Sequence, residues 1–119
     1  ACEGAHVGAL AYGYPQLMVT EHCLLTAEGP CSHSCSTCER RRQERYLVET
    51  SGARLPVRVD ARGRTRTFDA CVLDRTEDVD ALLHSGVGSL VIDAMLLDEG
   101  ELEGAIRALV AAGAPAVGA

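Results

Sequence analysis

The hydrophobic pattern predicts an α/β (α+β) chain. Partial TIM-barrel βα units would carry an inserted Cys-rich metal loop and a small antiparallel β-meander. Three observations predict it. Ser89–Ala94 (SLVIDA) is apolar like a buried parallel strand, and an amphipathic stretch follows it. Arg54–Asp60 alternates apolar and polar residues, as a half-buried antiparallel strand does. Cys23, Cys31, Cys35 and Cys38 fall within sixteen residues, spaced Cys-x7-Cys-x3-Cys-x2-Cys. On this reading 1–20 is a barrel-strand region, 21–42 the metal loop, 43–70 the meander and 71–119 a helix–strand–helix barrel unit.

The first element is His6–Tyr12, short, apolar and bounded by glycine. Gly13-Tyr14-Pro15 breaks it, and Leu17–Thr20 continues as an extended segment. After the cysteine loop, Tyr46–Thr50 reads as a strand and Ser51-Gly52 as a turn. In the next strand Leu55, Val57 and Val59 face one side, and Arg54, Arg58 and Asp60 the other. Arg62-Gly63 turns the chain, and Arg64–Phe68 returns to complete the meander. The period then becomes helical. Val79, Leu82 and Leu83 follow the capping candidate Thr76, and Gly86 is a helix stop. A second helix is expected over Glu101–Ala112, with Leu102, Ile106, Leu109 and Val110 on one face. Gly113 ends it, and the tail Ala114–Ala119 is expected to fray.

The chain of 119 residues is 47% hydrophobic but has no Trp, three Tyr and one Phe, so its core must be built from Val, Leu and Ala. No apolar run reaches the roughly 18 residues that span a bilayer. No charged segment precedes an apolar one as in a secretory leader. A cytoplasmic chain without membrane contact is therefore expected. The start at Ala1 reads as a fragment or a processed chain.

Charge is unevenly placed. From Glu39 to Arg66 there are nine Arg against four acids, and from Asp69 to Glu103 ten acids against one Arg. Every basic residue is Arg. An Arg-rich meander suits planar contacts to phosphate or carboxylate, hence an RNA or protein partner; the alternative is a solvated strand face.

Four thiolates from one loop make a complete sulfur site, suited to zinc or to an iron–sulfur cluster. Six cysteines without an export signal favour metal over disulfides. The loop has few large apolar residues beyond Leu24 and Leu25, so a metal is expected to order it. His22 and His33 are further ligands, or outer groups that touch no metal. Cys71 is an alternative ligand or a buried strand-end cysteine, and Cys2 is assigned no role. Glu21 and Asp93 are the catalytic candidates. Glu21 would be a buried acid or base, or else a turn cap. Asp93 stands at a strand C-terminal end, where barrel sites gather, or else caps a turn. Asp60 also ends a strand but belongs to the meander, outside the barrel argument.

Cys31, Cys35 and Cys38 alone resemble the cluster motif of radical S-adenosylmethionine enzymes. Cys23 would close the open iron that such enzymes need, and the chain beyond is too short for their barrel. A second resemblance covers roughly 90 residues. Tyr12-Gly13, Leu17-Met18-Val19-Thr20-Glu21-His22-Cys23, Leu55-Pro56-Val57 with Asp60, Arg64–Leu73 and Val87–Asp93 resemble, in order, the late-barrel segment of the peptidase U32 family. His22 replaces the usual Tyr, Leu24 a frequent Pro, and Ala61 a Cys of some branches. Which four thiols bind therefore stays open.

The resemblance implies a TIM barrel with a collagenase-like peptidase label. It equally implies an iron–sulfur protein, with a four-iron cluster ([4Fe–4S]), supporting hydroxylation of RNA bases or of a quinone precursor. An isolated fragment of such a barrel is expected to be inactive. The sequence gives the peptidase label no separate support. It has no His-Glu-x-x-His and no Gly-x-Ser-x-Gly, and Ser32, Ser34, Ser36 and His33 are loop neighbours without an orienting acid. A structural zinc module that binds RNA or protein is the competing class.

Overall fold

The computed structural model describes residues 5–114. Cys2 and the tail beyond Ala114 lie outside them. The chain groups into two compact units. One runs up to Tyr14 and resumes at Val72; the other is Pro15–Cys71.

The first unit holds β1 (Gly8–Gly13), and the second opens with β2 (Gln16–Thr20). In the second unit β3 (Arg45–Val48), β4 (Arg54–Val59) and β5 (Thr65–Phe68) form the expected meander. β2 adds to it antiparallel along β5, giving the strand order β2-β5-β4-β3. Val57 stands opposite Thr67, and Val59 opposite Thr65. Val57, Val59, Leu25 and Phe68 are buried, as are Thr65 and Thr67. Val57 and Val59 are buried as the alternation along β4 expects, but Leu55 is only half-buried and Pro56, on the opposite face, is buried. β2 lies at an edge of the sheet, and Leu17, Met18 and Val19 are all exposed.

The first unit has a mixed sheet. Its remaining elements are β6 (Leu73–Asp74), α1 (Val79–His84), β7 (Ser89–Ile92) and α2 (Glu99–Ala111). β7 pairs parallel with β1, and β6 pairs antiparallel on the other side, in the order β6-β1-β7. Ala11, Val79 and Leu109 form its core, with Tyr12, Leu83, Leu90 and Ile92 packed around them. Gly13 is buried because the chain leaving β7 presses on it. A Cβ there would lie 2.7 Å from the Asp93 carbonyl oxygen.

These sheets overturn the partial TIM barrel. A barrel of that type needs eight parallel strands, each followed by a helix. Here one sheet has three strands including an antiparallel pair, and the other has four strands that are all antiparallel. The fold is a small α+β arrangement with two helices among the described residues. The parallel β1–β7 pair is the feature that imitates a barrel unit locally. The extended segment expected over Leu17–Thr20 is likewise no barrel strand, since β2 belongs to the antiparallel sheet.

Two helix details also differ. The buried side of α2 holds Ala105 and Leu109, while Ile106 and Val110 are 47% and 41% exposed. Small alanines fit against the sheet where larger side chains would hold the helix off. Thr76 caps no α-helix; its N–H and hydroxyl both donate to Asp74 Oδ1, at 2.9 and 2.5 Å. The cap missed from sequence is Asp98. It accepts the Glu101 N–H at 2.7 Å, and Glu101 Oε1 accepts the Asp98 N–H in return, a capping box. Asp-x-x-Glu before the apolar run was its signal. No helix among the described residues is long and apolar enough to cross a membrane.

Candidate metal centre

The cysteine loop folds as three short 3₁₀ turns, Leu24–Glu28, Cys35–Thr37 and Glu39–Arg42. Hydroxyls close the first two. Thr26 Oγ1 donates to the Cys23 carbonyl at 2.8 Å, and Thr37 Oγ1 to the Ser34 carbonyl at 3.3 Å. Such side-chain bonds favour tight turns over a continuous helix. Each cysteine but one sits at a turn boundary: Cys23 precedes the first, Cys35 opens the second and Cys38 joins the second to the third.

The sheet holds this loop through one buried hydroxyl. Thr65 on β5 donates to the His22 carbonyl at 2.6 Å and accepts the Leu24 N–H at 3.0 Å. It thus grips the backbone on both sides of Cys23. Gly63, in the β4–β5 turn, provides the second approach. It has φ +80°, and a Cβ there would stand 3.0 Å from Cys35 Sγ. Cys31 is more exposed, and its sulfur accepts the His33 N–H at 3.2 Å. His33 reaches that position by adopting φ 61°, in the left-handed region.

All four sulfur-bearing residues, Cys23, Cys31, Cys35 and Cys38, line one cavity of about 350 Å³. Arg40, Arg41, Val59 and Gly63 are among the other residues of its walls. Among the described residues no three Cys, His, Asp or Glu side chains draw together as a ready single-ion site. The four cysteines share one cavity without converging on a single point.

The other candidates lie elsewhere. Cys71 is exposed and does not line this cavity, so it is not the buried strand-end residue expected of it. Glu21 and His22 are exposed on a bend outside the lining, so Glu21 is no buried carboxylate. Asp93 belongs to the other unit and makes a turn, accepting the Met95 N–H at 3.0 Å. His33 is exposed beside Cys31. Ser32 and Ser34 line the cavity without a histidine partner among the described contacts. One Ser–His pair does occur: His6 Nε2 and Ser89 Oγ stand 3.1 Å apart. The nearby Gly88 and Ser89 N–H groups both donate to the Val7 carbonyl, so they are not free to stabilise an oxyanion.

The arginines are largely engaged within the protein. Arg64 and Arg66 bind Asp60 at 3.0 and 3.2 Å, and Arg54 lies over the Tyr46 ring. Arg45 pairs with Glu28 through two contacts of 2.5 and 2.8 Å. Glu28 is held below the usual carboxylate range chiefly by those hydrogen bonds. At Asp60, partial burial opposes ionisation. The Arg64 and Arg62 N–H groups and the Arg64 guanidinium outweigh it and hold the carboxyl at about 2. Asp60 therefore ties the β4–β5 turn that carries Gly63. No family model, no curated protein and no solved structure matches this chain.

Proposed function

We propose that the chain binds an iron–sulfur cluster of the four-iron type through Cys23, Cys31, Cys35 and Cys38. The observation that carries this reading is the shared cavity of about 350 Å³ that all four cysteines line. A single zinc ion draws four sulfurs to roughly 2.3 Å, whereas a cluster is held from four sides of a larger space. The width of the cavity favours the cluster. The His33 N–H on Cys31 Sγ is the kind of hydrogen bond that tunes such ligands.

When bound, the cluster would supply one-electron transfer. The chain's own residues hold the thiols: Thr65 fixes Cys23, and Gly63 admits Cys35. The peptidase U32 resemblance supports a role beside hydroxylation of RNA bases or of a quinone precursor. The peptidase reading has no catalytic pair to support it. An RNA-binding role for the Arg-rich meander is weakened by the internal engagement of Arg45, Arg54, Arg64 and Arg66.

The test is purification without oxygen, followed by iron, sulfide and zinc analysis and a visible spectrum. About four irons and four sulfides per chain, with brown colour, are expected. One zinc and no colour would replace the cluster with a structural zinc knuckle. Six reactive thiols without metal would end the metal reading.

A further inference from the structure

We propose that Arg41 is the positioning residue of the thiol site, holding Cys35 and Cys38 in place before any metal arrives. This rests on the metal reading above. The Arg41 guanidinium donates to three carbonyls: Cys35 at 2.8 Å, Ser36 at 3.4 Å and Val59 at 3.1 Å. It thereby ties the turn between two of the thiols to the end of β4. Its neighbour Arg40 reaches the other lobe of the loop, donating to Leu25 and Gly29 carbonyls at 3.4 and 3.2 Å. Arg45 donates to the Arg40 and Gln43 carbonyls, beneath the third turn. Arg42, next in the chain, does none of this. Its side chain is 79% exposed, and among the described residues its one ion pair is with Glu39, at 3.7 Å.

Arg41 also has a place that the other two lack. With Leu25 and Val59 it lines both the thiol cavity and a second, apolar cavity of about 250 Å³. Its side chain is part of the wall between them. Nη1 serves the Cys35 and Ser36 carbonyls while Nε serves the Val59 carbonyl, so two nitrogens at a fixed spacing bridge loop and strand, which a lysine with one nitrogen does not reproduce. The loop is thus ordered by guanidinium-to-carbonyl bonds as well as by any metal. A metal that meets a pre-arranged site need not supply the ordering entropy of the loop.

The experiment compares wild type, R41K and R42K as the reduced, metal-free chain and then in cobalt(II) titrations. Hydrogen exchange of the metal-free protein reads the Cys38 amide, which donates to the Cys35 carbonyl at 3.3 Å. Protection there is expected in wild type and R42K and lost in R41K. Cobalt affinity, read from the thiolate-to-cobalt charge-transfer band, is expected to fall about 10–100-fold in R41K only. Amides of Thr65–Phe68 report the sheet. Their loss along with the loop would show a general structural role and overturn the proposal. Equal cobalt affinity in wild type and R41K would overturn the Arg41 proposal alone. Should the wild type take up no cobalt, the same comparison is read from the visible absorbance after anaerobic reconstitution with ferrous iron and sulfide, and a wild type that also forms no cluster would overturn the metal reading, and with it any ligand for Arg41 to position.

Discussion

Gly63 and Cys35 approach so closely that a methyl group on the glycine would stand 3.0 Å from the cysteine sulfur. The two lie on different segments, a β-turn and the thiol loop. Gly63 also needs its φ of +80°, which costs an L-residue roughly 1–2 kcal/mol. Gly63→Ala is therefore expected to lower stability by about that amount and to weaken metal binding by displacing Cys35. Urea unfolding and metal titration measure the two effects. Unchanged metal affinity would mean that Cys35 is not a ligand in this position.

Thr65 and Thr67 face the same buried side of β5 but differ in partners. Thr65 serves His22 and Leu24, whereas Thr67 Oγ1 is buried with no hydrogen-bond partner among the described residues. Thr65→Val strands a carbonyl and an N–H and is expected to cost about 1–3 kcal/mol. Thr67→Val removes an unsatisfied hydroxyl and is expected to be neutral or stabilising. Chemical denaturation of the two variants side by side checks the contrast. Equal losses would contradict it.

Cys23, Cys31, Cys35 and Cys38 line the cavity and Cys71 does not. Each of the four single Cys→Ser variants is expected to lower bound metal per chain, with Cys71→Ser matching wild type. Elemental analysis decides the matter. A large loss in Cys71→Ser would reassign the ligand set.

Asp60 is held at about 2, below its ordinary 3.8. Protonation therefore favours the unfolded chain. The stabilising contribution is complete above about pH 4 and disappears as pH falls through about 2. Because the site is partly solvated, about 1 kcal/mol is expected rather than the full linkage value. Acid unfolding followed by circular dichroism should show this slope in wild type and its absence in Asp60→Asn. A parallel pair of curves would remove Asp60 from the account.

Much of the second unit was legible in the chain. The alternation along Arg54–Val59 is local, since successive side chains in a strand point to opposite faces. The turn at Gly63 and the four-cysteine spacing were equally visible. The barrel was a misreading with a specific cause. Ser89–Ile92 is apolar like a barrel strand and pairs parallel with β1, but strand identity does not tell how many neighbours a strand has. On α2, period alone could not choose between the larger Ile106 and the smaller Ala105 for the packed face.

Sequence by itself indicated the longer strands, both helices, the turns and the four-cysteine spacing, because these depend on residues within a few positions of one another. Tertiary structure decided which groups meet. Thr65 finds His22 across 43 residues, and Arg41 finds Val59 across 18. It also placed β2 on the meander and left Glu21 and Cys71 out of the cavity lining. Hydrogen-bond donors have many acceptors of equal chemistry in a chain, and only packing selects the one within reach.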